Sequence, residues 1–174
     1  MSALPFLIFP WQRPFLPDLK HHLAAVGERA AGFAAHFGAE AMARAMGLLH
    51  DIGKCSDAYQ RYIRQPDGEG AARGPDHSSA GAQEAVQAFG AGWGRLMAYG
   101  IAGHHGGLMD GADLSARLVK QVEGYDGWRN HVGELPAAEA LSGIRPAPNG
   151  IDPAFSLAFL ARMALSCLVD ADFL

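Results

Sequence analysis

The chain has 174 residues, about half of them apolar, and a formal charge of −4, which suits one globular domain with a real core and excludes a disordered chain. A net acidic balance weighs against a protein that holds nucleic acid by a basic surface, and no run reaches the roughly 20 apolar residues that span a bilayer. The two cysteines, Cys55 and Cys167, have no motif spacing, as expected of a reduced, cytoplasmic protein.

The opening "LPFLIFPW", residues 4–11, is bracketed by Pro5 and Pro10 and lacks a basic leader and a small-residue cleavage site, so it reads as an extended edge segment and not a signal peptide. "DLKHHLAAVGERAAGFAAHF" sets Leu19, Leu23, Val26 and Phe33 near helical spacing behind Asp18 as N-cap. "AEAMARAMGLLHDIGK" puts Met42, Met46 and Leu49 on one helical face. "DHSSAGAQEAVQAFG" predicts a helix that starts after Pro75 and ends at Gly90. "WGRLMAYGIAGHHGG" continues with Leu96, Tyr99 and Ile101 and stops at Gly106–Gly107, and "LSARLVKQVEGY" is a shorter amphipathic piece. The last segment, "DPAFSLAFLARMALSCLVDADFL", opens with Asp152 as N-cap and Pro153 at the first helical position. It is apolar nearly all round, the pattern of a buried central helix. Loops rich in Gly, Pro and charge separate these pieces at 65–76 and 145–153. No strand alternation is present, so the expected architecture is a single all-α domain over 1–174, with about five or six main helices around a metal site.

Eight histidines is a high count for this length, and their placement is more telling than their number. His22 lies in the first helix, His50 and Asp51 close the second, His77 opens the third, His104 and His105 close the next, and Asp170 and Asp172 end the last. Neighbours on a helix diverge by about 100°, so the doublets His50–Asp51 and His104–His105 serve one site only if it lies beyond a helix end or holds two ions. Imidazole and carboxylate together suit first-row transition metals better than calcium. His36 and His131 read as ordinary surface or packing residues.

The ordered set in "HLAAV" (22–26), "LLHDIGK" (48–54), "DHSSAGA" (76–82), "AGHHGGL" (102–108) and "SCLVDADF" (166–173) resembles the HD phosphohydrolase pattern. Within that pattern it more closely resembles the HD nuclease domain of the type I CRISPR-associated helicase–nuclease. That resemblance spans nearly the whole chain. It implies a compact helical HD-type domain, one or two divalent transition-metal ions (Mn, Co, Ni or Fe), and hydrolysis of single-stranded DNA on a target exposed by a guide-RNA surveillance complex. It further implies a helicase partner, either in the same chain, with this domain as its N-terminal part, or as a separate subunit.

Transferred residue by residue, the resemblance makes His22, His50, Asp51, His77, His104, His105 and a C-terminal aspartate the metal ligands, with Asp170 favoured over Asp172. His21 is the competing candidate to His22. Lys54 matches the family lysine beside the site, and Ser78 the serine that can contact the DNA backbone. Asp51, with two oxygens, is the natural bridge between two ions, and Lys54, about one turn on, could steady a phosphate or transition-state charge. Arg61, Arg64 and Arg73 read as solvated loop positions rather than a DNA route. The alternative function is an HD phosphohydrolase of nucleotides or cyclic dinucleotides. A third is a non-enzymatic metal-binding scaffold that docks a helicase.

Overall fold

A computed structural model describes residues 19–64, 74–145 and 151–174. Asp18, the apolar segment 4–11, Arg73 and most of the two loop stretches lie outside the described residues. Within them the regular structure is helical, with no strand: α1 (Leu19–Ala34), α2 (Glu40–Leu49), α3 (Asp57–Tyr62), α4 (Ser78–Phe89), α5 (Arg95–Gly103), α6 (Gly111–Leu118) and α7 (Pro153–Phe173). Six of the seven have eight or more residues, in keeping with the expected five or six main helices. The short α3, capped by the Ser56 hydroxyl that accepts from Tyr59 N, has no clear apolar period of its own.

The hub is α2. Its residues Met42, Ala43, Ala45, Met46, Gly47, Leu48 and Leu49 are all buried, and it packs against α1, α4, α5 and α7. Helix α1 lies along it through Leu19, Leu23, Val26, Ala30 and Ala34, a stripe at steps of three and four. Phe33 falls off that stripe and is exposed, which corrects its place in the expected face. A side chain at Gly47 would put its Cβ 2.6 Å from the backbone N and Cα of Gly27, so the two backbones approach as closely as they do only because Gly47 lacks a Cβ.

Two expectations change. Helix α6 starts earlier than the apolar pattern suggested, at Gly111, because the Asp110 carboxylate accepts from the N–H groups of Ala112 and Asp113. It ends at Leu118, so the second half of the amphipathic piece is not helical.

The larger change concerns α7. Asp152 and Pro153 begin it as expected, but it is not a buried central helix. Ser156, Leu160, Ala164, Cys167, Leu168 and Ala171 face α1, α2 and α5, while Phe155, Leu157 and Phe159 are exposed. By length and hydropathy alone this 21-residue helix is also apolar enough to cross a membrane, although Arg162 and Asp170 interrupt its apolar run.

The α1–α2 contact generates a test. Gly47→Ala should destabilise the domain by about 1–3 kcal/mol through overpacking, read from urea unfolding by circular dichroism. Gly27→Ala, whose Cβ would meet Arg44 O and Leu48 Cγ at 3.3 Å, should lose less. Equal stability of Gly47→Ala and wild type would disprove the close backbone contact.

Candidate metal centre

Helix ends build the site. α2 stops at Leu49, His50 takes its C-cap position, and Asp51 links it to the turn Ile52–Cys55. His77 occupies the N-cap position of α4, and His104 the C-cap of α5. The turn and the start of α4 are pressed together at Gly53, where a Cβ would lie 2.2 Å from His77 O. Only glycine permits that contact, and it brings His77 to the Asp51 carboxylate. His22 comes from the first turns of α1 and Asp172 from the last turn of α7.

The histidines are oriented by their other nitrogens. His50 Nδ1 lies 2.8 Å from Gly47 O and His104 Nδ1 2.7 Å from Ile101 O. Both bonds go from a C-cap residue to a carbonyl three residues back, one of the groups a helix end leaves unsatisfied. His77 Nδ1 meets Pro75 O at 3.2 Å. With Nδ1 facing a carbonyl, Nε2 is the nitrogen left toward the site, and in the neutral ring it carries the lone pair with which imidazole binds a metal.

Those nitrogens converge on Asp51, which is 1% exposed. Its Oδ1 lies 3.4 Å from His77 Nε2 and 3.5 Å from His104 Nε2. Its Oδ2 lies 3.3 Å from His50 Nε2, 3.7 Å from His22 Nε2 and 2.5 Å from Lys54 Nζ. Asp172 Oδ1 completes the second side, 3.2 Å from His22 Nε2 and 3.4 Å from His50 Nε2. His105 Nε2 joins the first side, 3.0 Å from His77 Nε2. These are ion-pair distances, yet His22 Nε2, His50 Nε2, His104 Nε2 and both Asp51 oxygens are buried without an aligned hydrogen bond. Buried polar atoms left this way call for a partner, and a cation fits donors that are all lone pairs. Two groups could each hold a metal ion: Asp51, His77, His104 and His105, and His22, His50, Asp51 and Asp172.

The electrostatics differ between the two sides. Burial pushes Asp51 toward its neutral form, but the charges of His50 and Lys54 outweigh it and hold the carboxyl well below the usual range. Asp172 is likewise lowered against the pull of burial, by His22 and His50. His50, although burial disfavours its charge, is raised to about 9 by Asp51 and Asp172, and His22 is raised for the same reasons. On the other side burial dominates: His77 is lowered, and His105, which also faces His104, is lowered to about 4.

The structure therefore gathers His22, His50, Asp51, His77, His104 and His105, all of which the sequence pointed to. His21 is exposed, one step round the helix from His22. His36 is exposed and His131 half-buried, and neither belongs to the two groups. Asp170 is a correction: it is exposed, and Asp172 stands with the histidines. Successive residues turn by about 100°, so Asp170 faces solvent with Met163 and Ser166, while Asp172 follows Leu168 and Ala171 toward α1. Lys54 is buried on Asp51. Ser78 lines a groove of about 790 Å³ beside His77 and His105. Arg117, which the sequence did not single out, reaches Ser78 Oγ with Nη1 at 3.0 Å. Arg61 and Arg64 are exposed on and after α3.

A family model for the HD domain matches residues 19–128. Among solved structures, the chain is similar to the CRISPR-associated Cas3 HD domain protein of Methanocaldococcus jannaschii. The two share 16% identity with a TM-score of 0.53, over 98% of this chain and 95% of that one. At that identity the likeness is one of fold. No curated protein matches the sequence.

The geometry separates the two C-terminal aspartates. Asp172→Asn should weaken Mn²⁺ binding by about ten- to a hundred-fold, a loss that even supporting residues of metal sites reach, and Asp170→Asn should leave it unchanged. Calorimetric titration of both variants decides, and the opposite order would remove Asp172 from the centre.

Proposed function

This chain belongs to the HD domain family, and on that premise we propose that it is a metal-dependent nuclease that hydrolyses phosphodiester bonds of single-stranded DNA. The observation that carries the reading is the sharing of one buried carboxylate, Asp51, by two groups of imidazole donors, one at each oxygen. Phosphodiesters resist hydrolysis because their negative charge repels hydroxide and the leaving alkoxide is poor. Divalent transition-metal ions, Mn, Co, Ni or Fe by donor chemistry, would supply Lewis acidity to the phosphate and lower the pKa of a water.

The side chains do the remaining work. His22, His50 and Asp172 would hold one ion, His77, His104 and His105 the other, and Asp51 both. Lys54 steadies Asp51 from within, since its ammonium lies on Oδ2 and not in the groove. Ser78 offers a hydroxyl in the groove next to His77, placed to meet a phosphate oxygen. The fold likeness to a CRISPR-associated Cas3 HD domain protein and the sequence resemblance support a role in type I CRISPR interference. There the domain, one unit over 1–174, would act in the cytoplasm with a helicase, in the same chain or as a separate subunit, on single strands presented by a guide-RNA surveillance complex.

Cleavage of labelled single-stranded and duplex DNA tests this. Mn²⁺, Co²⁺ or Ni²⁺ should support cleavage of the single strand with little activity on intact duplex, and EDTA should abolish it. Asp51→Ala should lose essentially all cleavage while helix content by circular dichroism stays at the wild-type level. Full activity in chelator, or near-normal turnover by folded Asp51→Ala, would sink the reading. A strong preference for mononucleotides or cyclic dinucleotides would assign the centre to a small-molecule phosphohydrolase instead.

A further inference from the structure

We propose that Arg117, supported by Lys120 and Ser78, is a second phosphate subsite that binds the phosphodiester neighbouring the one cleaved, and so gives the groove its affinity for polynucleotide strands over isolated phosphodiesters. This rests on the nuclease reading and names how the same site grips its substrate.

The groove beside the His–Asp cluster brings imidazoles and cationic side chains together. His77, Ser78 and His105 line it, and so do Arg117 and Lys120. Arg117 Nη1 lies 3.0 Å from Ser78 Oγ and 3.9 Å from Asp76 Oδ1. Its recorded partners engage Nη1 alone, so among the described residues Nη2 and Nε retain donors for a ligand. A guanidinium presents five donors in a planar fork that matches phosphate oxygens in pairs.

Charge fits the same ligand. Asp76 is committed within the protein: it accepts from Ser79 N at 3.1 Å, from Ser79 Oγ at 2.7 Å and from Lys120 Nζ at 2.7 Å. Arg117 and Lys120 together carry two positive charges against that single carboxylate, leaving one to spare, which is the charge of one phosphodiester.

The arginine is also held in place. Gln83 Nε2 donates to Arg117 O at 2.9 Å and to Lys120 O at 2.7 Å, fastening the end of α6 to α4. Arg95 Nη2 donates to Ser115 Oγ at 2.9 Å, fastening its middle to α5. A surface helix tied twice to the two helices that carry His77 and His104 keeps the guanidinium in register with the cluster.

The test pairs two substrates on the Mn²⁺-loaded chain: a 15-residue oligothymidylate, which fills the cluster and the groove, and bis(p-nitrophenyl) phosphate, which has one diester. Arg117→Ala should raise KM for the oligonucleotide about tenfold while leaving kcat/KM for the small diester within about twofold. The slope of log binding constant against log salt for the oligonucleotide should fall by about 0.7, the loss of one single-strand phosphate contact. Arg117→Lys should recover part of the affinity, and Arg117→Gln, which keeps a donor for Ser78, should behave like Arg117→Ala and guards against a folding defect.

Equal losses on both substrates, or no loss on either, would overturn the subsite while wild-type DNA cleavage upholds the nuclease. If the wild-type chain cleaves the small diester and not the oligonucleotide, the nuclease reading fails and the subsite fails with it.

Discussion

A carboxylate stripped of water must be met by cations or donors on both of its oxygens, and Asp51 is that carboxylate here. Its Oδ1 is approached by His77 and His104 and its Oδ2 by His22, His50 and Lys54. The groups that surround it come from α1, from the end of α2, from the turn that follows, and from the ends of α4 and α5. The fold can be understood as the set of helix contacts that lets these segments meet at one buried group.

Close packing makes that meeting possible. Helix α2 is buried over most of its length so that its C-terminus, and not its side, delivers His50 and Asp51. Delivery from an end avoids the roughly 100° divergence of adjacent residues, because the chain leaves the helix between them and enters a 3₁₀ turn at Ile52. The same logic explains why Gly53 cannot carry a side chain. The turn must touch the backbone of His77, and any Cβ would push the first donor group away from Asp51. Orientation then follows from local bonding. The carbonyls of Gly47 and Ile101, left over at two helix ends, take the Nδ1 protons and leave Nε2 to the centre.

Much of this was legible in the sequence because the informative residues sit at punctuation points. His50 precedes a glycine-containing turn, His77 follows Pro75, and His104 precedes two glycines, so helix ends and donors could be read together. The C-terminal aspartate was not legible in the same way. With α7 taken as apolar on all sides, no face could be ranked. Once Phe155 and Phe159 are seen exposed and Leu168 and Ala171 buried, the helical step alone selects Asp172. The sequence held the period but not the knowledge of which face was covered, and that depends on α1, more than a hundred residues away. Phe33 was misplaced for a related reason: the small residues Ala30 and Ala34 continue the buried stripe of α1, and a larger side chain drew attention from them.

Arg117 marks the other limit. A lone arginine on a short amphipathic helix is indistinguishable in sequence from a solvated one, and its partner Ser78 lies 39 positions away. What gives it a place is the pair of bonds from Gln83 to the carbonyls of Arg117 and Lys120, and those bonds exist only in three dimensions. Two kinds of support therefore coexist around one groove. The Asp51 side is set by buried backbone contacts that tolerate almost no change of side-chain volume. The α6 side is set by Leu114, buried in the core, and by hydrogen bonds at the surface from Gln83 and Arg95. Packing between backbones thus fixes the groups around Asp51, while hydrogen bonds between side chains and carbonyls hold Arg117 beside them.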